Sequence, residues 1–221
     1  MRKPSPSMGQ TRGASRSRGG RPLYPRVLMV CEGSETEPNY LEDLRKRWHI
    51  PNVVWKVLPS ALGTGPEKVV QHAKNLAREK QAWDEVYCIF DRDDHEHYKA
   101  ALVQSRDLDR TMKVLDSDEK AVFRAIPSVP CFELWFLLHF RDVTRESHQD
   151  EIGHLLKAIL PEYEKATPGM LATTLPSLAA AYARADKARK RSTESGNDNP
   201  STDMDLLVRR LFEIGEMKKS Q

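Results

Sequence analysis

The residues best suited to chemistry are carboxylates in two short runs. Glu32 opens the run Glu32-Gly33-Ser34-Glu35, and Asp91-Arg92-Asp93-Asp94-His95 supplies three further acids. Carboxylates held a few ångströms apart repel one another unless a cation neutralises them. Hard oxygen donors select Mg2+ or Mn2+, ions that keep several waters and bridge to phosphate. The chemistry this suits is phosphoryl transfer or phosphodiester cleavage. In Asp91-x-Asp93, side chains two apart on extended backbone point the same way, with Arg92 turned to the other side. A lone Asp-x-Asp is equally a helix-capping turn, so the weight rests on both runs together.

Each run follows a segment that reads as a buried strand. Val27–Cys31 and Val86–Phe90 are continuous apolar runs rich in β-branched residues, the pattern of strands covered on both faces. Two more strands are expected at Val53–Leu58 and Ala121–Ile126. Helices are expected from Thr36 as N-cap to His49, from Pro66 through Ala77, over Glu96–Gln104 and from Pro130 through Phe140. Beyond that the pattern is helical only, at Glu151–Leu160, Leu175–Arg191 and Met204–Met217. Strands alternating with helices predict an α/β fold, a mostly parallel sheet of about four strands flanked by helices, with a C-terminal helical appendage. The boundaries read as a basic disordered tail over 1–26, an α/β core over 27–140 and a helical extension over 141–221. Ligands of such sheets bind beyond the carboxyl ends of the strands, where Glu32 and Asp91 fall.

Other residues carry weaker signals. Glu133, in the first turn of the Pro130 helix, either complements the helix dipole or joins the acids. His139 reads as a packed or surface histidine rather than a metal ligand. His95 is placed to reach a phosphate or give a proton, and equally to cap a helix. Glu35 and Glu37 read mainly as first-turn acids of a helix. Gly63-Thr64-Gly65-Pro66 lacks the phosphate-loop pattern, which argues against an ATPase. Lys187, Arg189, Lys190 and Arg191 form a basic helix end, either a solvated face or a surface that positions a polynucleotide.

The chain has 221 residues, 39% hydrophobic and 30% charged, with a formal net charge of +3. The first 26 residues hold seven basic and no acidic side chains, leaving 28 basic against 32 acidic, a net −4, on the remainder. That tail reads as either a polyanion-binding arm or a solubilising leader. No apolar run nears the ~20 residues of a bilayer span, and no secretion signal opens the sequence. Three dispersed cysteines, Cys31, Cys88 and Cys131, argue against a disulfide framework or a zinc site. A cytoplasmic protein with no membrane association is expected, with a homo-oligomer left open.

Val30–Tyr40 (Val-Cys-Glu-Gly-Ser-Glu-Thr-Glu-Pro-Asn-Tyr), Ile89–His95 and Pro130–Phe140 resemble the RloB family, as does Asn199–Thr202 followed by Leu-Val-Arg-Arg-Leu. The likeness spans about residues 27–215. It implies a Toprim-type, Rossmann-like fold, with Glu32 as metal ligand or general acid/base and Asp91 and Asp93 as metal ligands. Read from the residues themselves, Asp94 and Glu133 are further candidates for the metal shell, and His95, Arg92, Lys187 and Lys190 for contacts with substrate. Family members often carry Asn where this chain has Val129. The resemblance also implies an Mg2+- or Mn2+-dependent nuclease acting on RNA (tRNA included) or DNA in anti-phage defence, beside an ABC-type ATPase. The competing readings are a metal-dependent nucleic-acid-binding subunit without catalysis, and a haloacid-dehalogenase-like phosphatase with Asp91 as nucleophile and Asp93 as acid.

Overall fold

The structure is a computed structural model that describes residues 24–51, 55–63, 65–80, 82–93, 95–114 and 118–217. Most of the expected basic tail, and Asp94, lie outside these residues. A central sheet of five strands runs in the order β2-β1-β3-β4-β5. Its members are β1 (Val27–Cys31), β2 (Trp55–Pro59), β3 (Glu85–Asp91), β4 (Val122–Val129) and β5 (Ser201–Thr202). The first four pair in parallel, and β5 adds antiparallel to the end of β4.

Helices α1 (Thr36–Arg47), α2 (Pro66–Lys80) and α3 (Tyr98–Leu108) connect the first four strands. Then follow α4 (Glu133–Leu138), α5 (Gln149–Ile159), α6 (Met170–Thr174), α7 (Leu178–Ser195) and α8 (Met204–Glu216). Strand side chains alternate between faces, and β1 shows the consequence. Val27, Met29 and Cys31 enter a cluster shared with α1 and α4 to α8, while Leu28 and Val30 enter another shared with α2 and α3. All five are fully buried, which is why β1 reads as an unbroken apolar run. The late helices therefore share the core of the sheet: α8 contributes Leu207, Val208, Leu211 and Ile214.

Several boundaries differ from expectation for local reasons. α1 starts at Thr36 with Glu35 at its N-cap and no side-chain capping bond. The Thr36 hydroxyl instead accepts the N–H of Ala166, mooring a distant loop. The helix expected from Pro130 begins at Glu133, because the Pro130 carbonyl is taken by the N–H of Asp93. The charged stretch after Gln104 begins as helix, since Ser105 and Leu108 bury against the sheet. β5, only two residues long, carried no periodic signal. All three cysteines are buried and free. No helix among the described residues is long and apolar enough to cross a membrane.

Candidate acidic site

A cavity of about 330 Å3 opens at the carboxyl ends of the central strands. Glu32, Glu37, Asp91, Asp93 and Glu133 line it, together with Glu35 and Lys165. Glu32 follows β1 directly, its N–H bonded to the Ile89 carbonyl of β3. Asp91 closes β3 opposite Ser128 of β4. Parallel register therefore sets the two acids at neighbouring strand ends.

Glu32 is heavily engaged. Its Oε1 accepts the N–H of Gly65 at 3.1 Å and lies 3.2 Å from His95 Nε2, while Oε2 accepts the N–H of Asp91 at 2.9 Å. Gly65 reaches it from the glycine loop with φ of +116°, a conformation that favours glycine. Glu37 turns back from the first turn of α1 so that its Oε1 accepts the N–H of Gly33 at 3.1 Å. A Cβ on Gly33 would lie 2.8 Å from Glu37 Cδ, so this fold-back depends on glycine. Glu133, the first residue of α4, is 8% exposed and accepts the phenolic O–H of Tyr163 at 3.3 Å.

Asp93 departs from the extended-backbone expectation. It adopts φ of +36°, in the left-handed region, within a turn tied to β4 by Arg92 N–H to the Ser128 carbonyl and its own N–H to the Pro130 carbonyl. It lines the cavity with Asp91 all the same, and Arg92 does point elsewhere, forming an ion pair with Asp198. Asp93 Oδ1 is buried with no hydrogen-bond partner among the described residues.

The electrostatics are those of crowded acids. Burial drives the Asp91 carboxyl well above the usual range, and Glu37, Glu133, Asp93 and Glu32 push it further. Asp93 is raised first by burial and then by Glu32, against the opposing pull of His95 and Lys165. Glu37 is raised by burial, partly offset by backbone hydrogen bonds.

The donor set fits a hard divalent cation in chemistry: several carboxylates on one cavity, of which Asp91, Asp93 and Glu37 are raised first by burial and then by neighbouring acids. The carboxylates are gathered without being arrayed as ligands, for among the described residues no three His, Cys, Asp or Glu side chains stand in a metal-holding group. Hydrogen bonds to backbone amides account for this at Glu32 and Glu37.

Of the remaining expected residues, His95 sits beside Glu32. Lys187 and Lys190 are exposed on α7 and do not line the cavity. The basic helix end is partly internal wiring. Arg189 grips fully buried Asp205 through both oxygens at 2.6 and 2.8 Å, and Arg191 donates to the Val143 carbonyl at 2.8 Å. His139 is buried, with Nδ1 2.8 Å from the Trp135 carbonyl, as expected of a packed histidine. Sequence reasoning missed Lys165 and Asp198, and ranked Glu37 too low.

The family model described as RloB-like protein matches residues 27–211. The chain belongs to the RloB-like family. The matched span contains every described residue of the acidic cavity, Lys165 included, and Asp198 as well. No curated protein and no solved structure matches this RloB-like chain.

Proposed function

We propose that this RloB-like protein is a Mg2+- or Mn2+-dependent nuclease of Toprim type, cleaving phosphodiester bonds in RNA or DNA in the cytoplasm as an effector of anti-phage defence. An ABC-type ATPase is the proposed regulator, as the family resemblance implies. The observation that carries the reading is the convergence of six carboxylates, including Asp93, whose buried oxygen has no partner among the described residues, on one cavity at the strand ends. Asp91, Asp93 and Glu133 are the residues that would hold the ion, with Glu32 and Glu37 behind them. A bound divalent cation supplies charge neutralisation of the phosphate and an activated water.

The chain's own groups do the rest. Lys165, the one cation lining the cavity among the described residues, attracts a phosphate that the acids would otherwise repel. His95, against Glu32, is positioned to hold a proton for the leaving oxygen. Glu32 fixes the Asp91 turn through its backbone bond.

That same engagement of Glu32 favours a second reading, a nucleic-acid-binding subunit whose acids position phosphates through a cation without cleavage. Incubating the purified protein with labelled tRNA, single-stranded RNA and duplex DNA, with Mg2+ or EDTA, separates the two. Mg2+-dependent products that vanish in Asp91→Asn support the nuclease. Mg2+-dependent binding with intact substrate, also with the ATPase present, supports the binding subunit.

A further inference from the structure

Along β4 the backbone groups alternate between the two sides of the strand. Val122 N–H donates to the Asp84 carbonyl and the Ser128 carbonyl accepts from Arg92, so even-numbered groups face β3. Odd-numbered groups face outward: Phe123 N–H meets Asp109 Oδ1, and the Pro127 carbonyl accepts from Asp203 N–H. The line of a fifth strand is filled at both ends. At one end Arg110 N–H donates to the Ala121 carbonyl and Ala121 N–H to that of Met112. At the other, β5 pairs with Ser128 and Val129.

Between these ends no described residue continues the line. The outward carbonyl of Phe123 and both backbone groups of Ala125 face a cavity of about 540 Å3 that runs between α3 and α8. Sheet edges are normally blunted by charge, proline or cover, and along this strand Arg124 and Pro127 are of that kind.

The walls carry Arg106, Arg110 and Arg124, and none of them has a carboxylate partner among the described residues. The acids beside them are engaged: Glu85 by Arg210, Asp109 by the N–H of Phe123, and Asp203 by Arg189. With Arg210 the lining holds four arginines against these three acids, a formal excess of one positive charge. Leu206 at its margin is 43% exposed.

We propose that this gap takes in an extended acidic segment of a partner protein as an added strand. Backbone bonds to Ala125 and Phe123 provide the register, and two neighbouring acidic side chains, which a strand turns to opposite faces, reach Arg106 on one wall and Arg124 on the other. Strand addition needs a peptide backbone, which sets this site apart from a general polyanion patch.

The test titrates the full chain with a fluorescent, end-blocked peptide in which adjacent Glu-Glu pairs are separated by Val, read by anisotropy. Saturable binding is expected, weakened at least about tenfold (1.4 kcal/mol) by Arg106→Glu with Arg124→Glu. That double variant should regain binding to the matching Lys/Val peptide. If thermal melts show that it does not fold, Arg106→Gln with Arg124→Gln carries the same comparison, expected to weaken the Glu peptide. In the complex the Ala125 amide should exchange more slowly. Lack of saturable binding overturns the proposal. So does equal binding by a peptide N-methylated at alternate backbone nitrogens. Displacement of the peptide by an equally charged oligonucleotide at equal or lower concentration does so too, by showing that charge alone is read.

Discussion

The carboxylate of Glu32 accepts the backbone N–H of Asp91 at 2.9 Å, joining the end of β1 to the end of β3 inside the acidic cavity. A second backbone bond, from Gly65, makes Glu32 a structural staple as well as an acid of the site. Glu32→Ala leaves two part-buried N–H groups without their acceptor, at a cost of about 1–3 kcal/mol. Glu32→Gln keeps one oxygen and should lose less. Urea unfolding of both variants checks the ranking, and wild-type stability in Glu32→Ala would refute the staple.

Asp91 tests the crowding. Its carboxyl pKa is raised in the folded state, first by burial and then by Glu37. The folded protein therefore binds the proton more tightly than the unfolded chain does. This favours folding below the ordinary aspartate value of ~3.9 and is lost as pH rises through the raised folded value. Asp91→Asn removes the dependence. The variant should match or trail wild type in acid and overtake it as pH rises. Mg2+ should raise the melting temperature of wild type and leave that of Asp91→Asn nearly unchanged. A stability gap that is flat with pH would contradict the account.

Lys165 is the cation that faces these acids. Lys165→Ala should raise KM for a polynucleotide by about tenfold (1.4 kcal/mol) with a smaller effect on kcat. The salt dependence of binding should weaken, its slope falling by about 0.7–0.9 for one lost phosphate contact. An unchanged slope would remove Lys165 from the substrate path.

Arg92 and Asp198 pair across the back of the Asp91–Asp93 turn, both partly exposed. Such a pair contributes about 0–1 kcal/mol to folding, yet it holds a turn whose displacement by an ångström can cost about 100-fold in rate. Asp198→Ala should therefore reduce cleavage far more than stability. The swap Arg92→Asp with Asp198→Arg should recover part of the rate. Equal activity of Asp198→Ala and wild type would dismiss the tie.

His139 gives a stability signature of the opposite sign. Burial pulls its pKa down to about 4, and its Nε2 has no partner among the described residues. The unfolded chain takes up the proton near pH 6.5 and the folded one only near pH 4. Stability is therefore intact above ~6.5 and declines between those values, by about 3 kcal/mol in all. His139→Phe should lack this decline when unfolding free energy is followed from pH 7 to 4.

The strands were legible because β1 and β3 are covered on both faces, which writes an unbroken apolar run into the chain. Glu32 and Asp91 followed from their places at the ends of those runs. Glu37 was obscured because an acid in a first helical turn reads as a complement to the dipole. What turns it inward is the N–H of Gly33 and a contact only glycine permits. Lys165 and Asp198 lie in loops without periodicity and reach the site only because α5 and α7 pack where they do. The fixing of Glu32 by Gly65 is likewise a long-range contact, and no local spacing encodes it.

The mooring of Ala166 on the Thr36 hydroxyl has a consequence for biosynthesis. Every described acid of the cavity belongs to the part of the chain made first, up to Glu133, whereas Lys165 and Asp198 leave the ribosome later. The cleft therefore takes its shape only once the later helices have docked, because they cover the face of β1 that carries Val27, Met29 and Cys31.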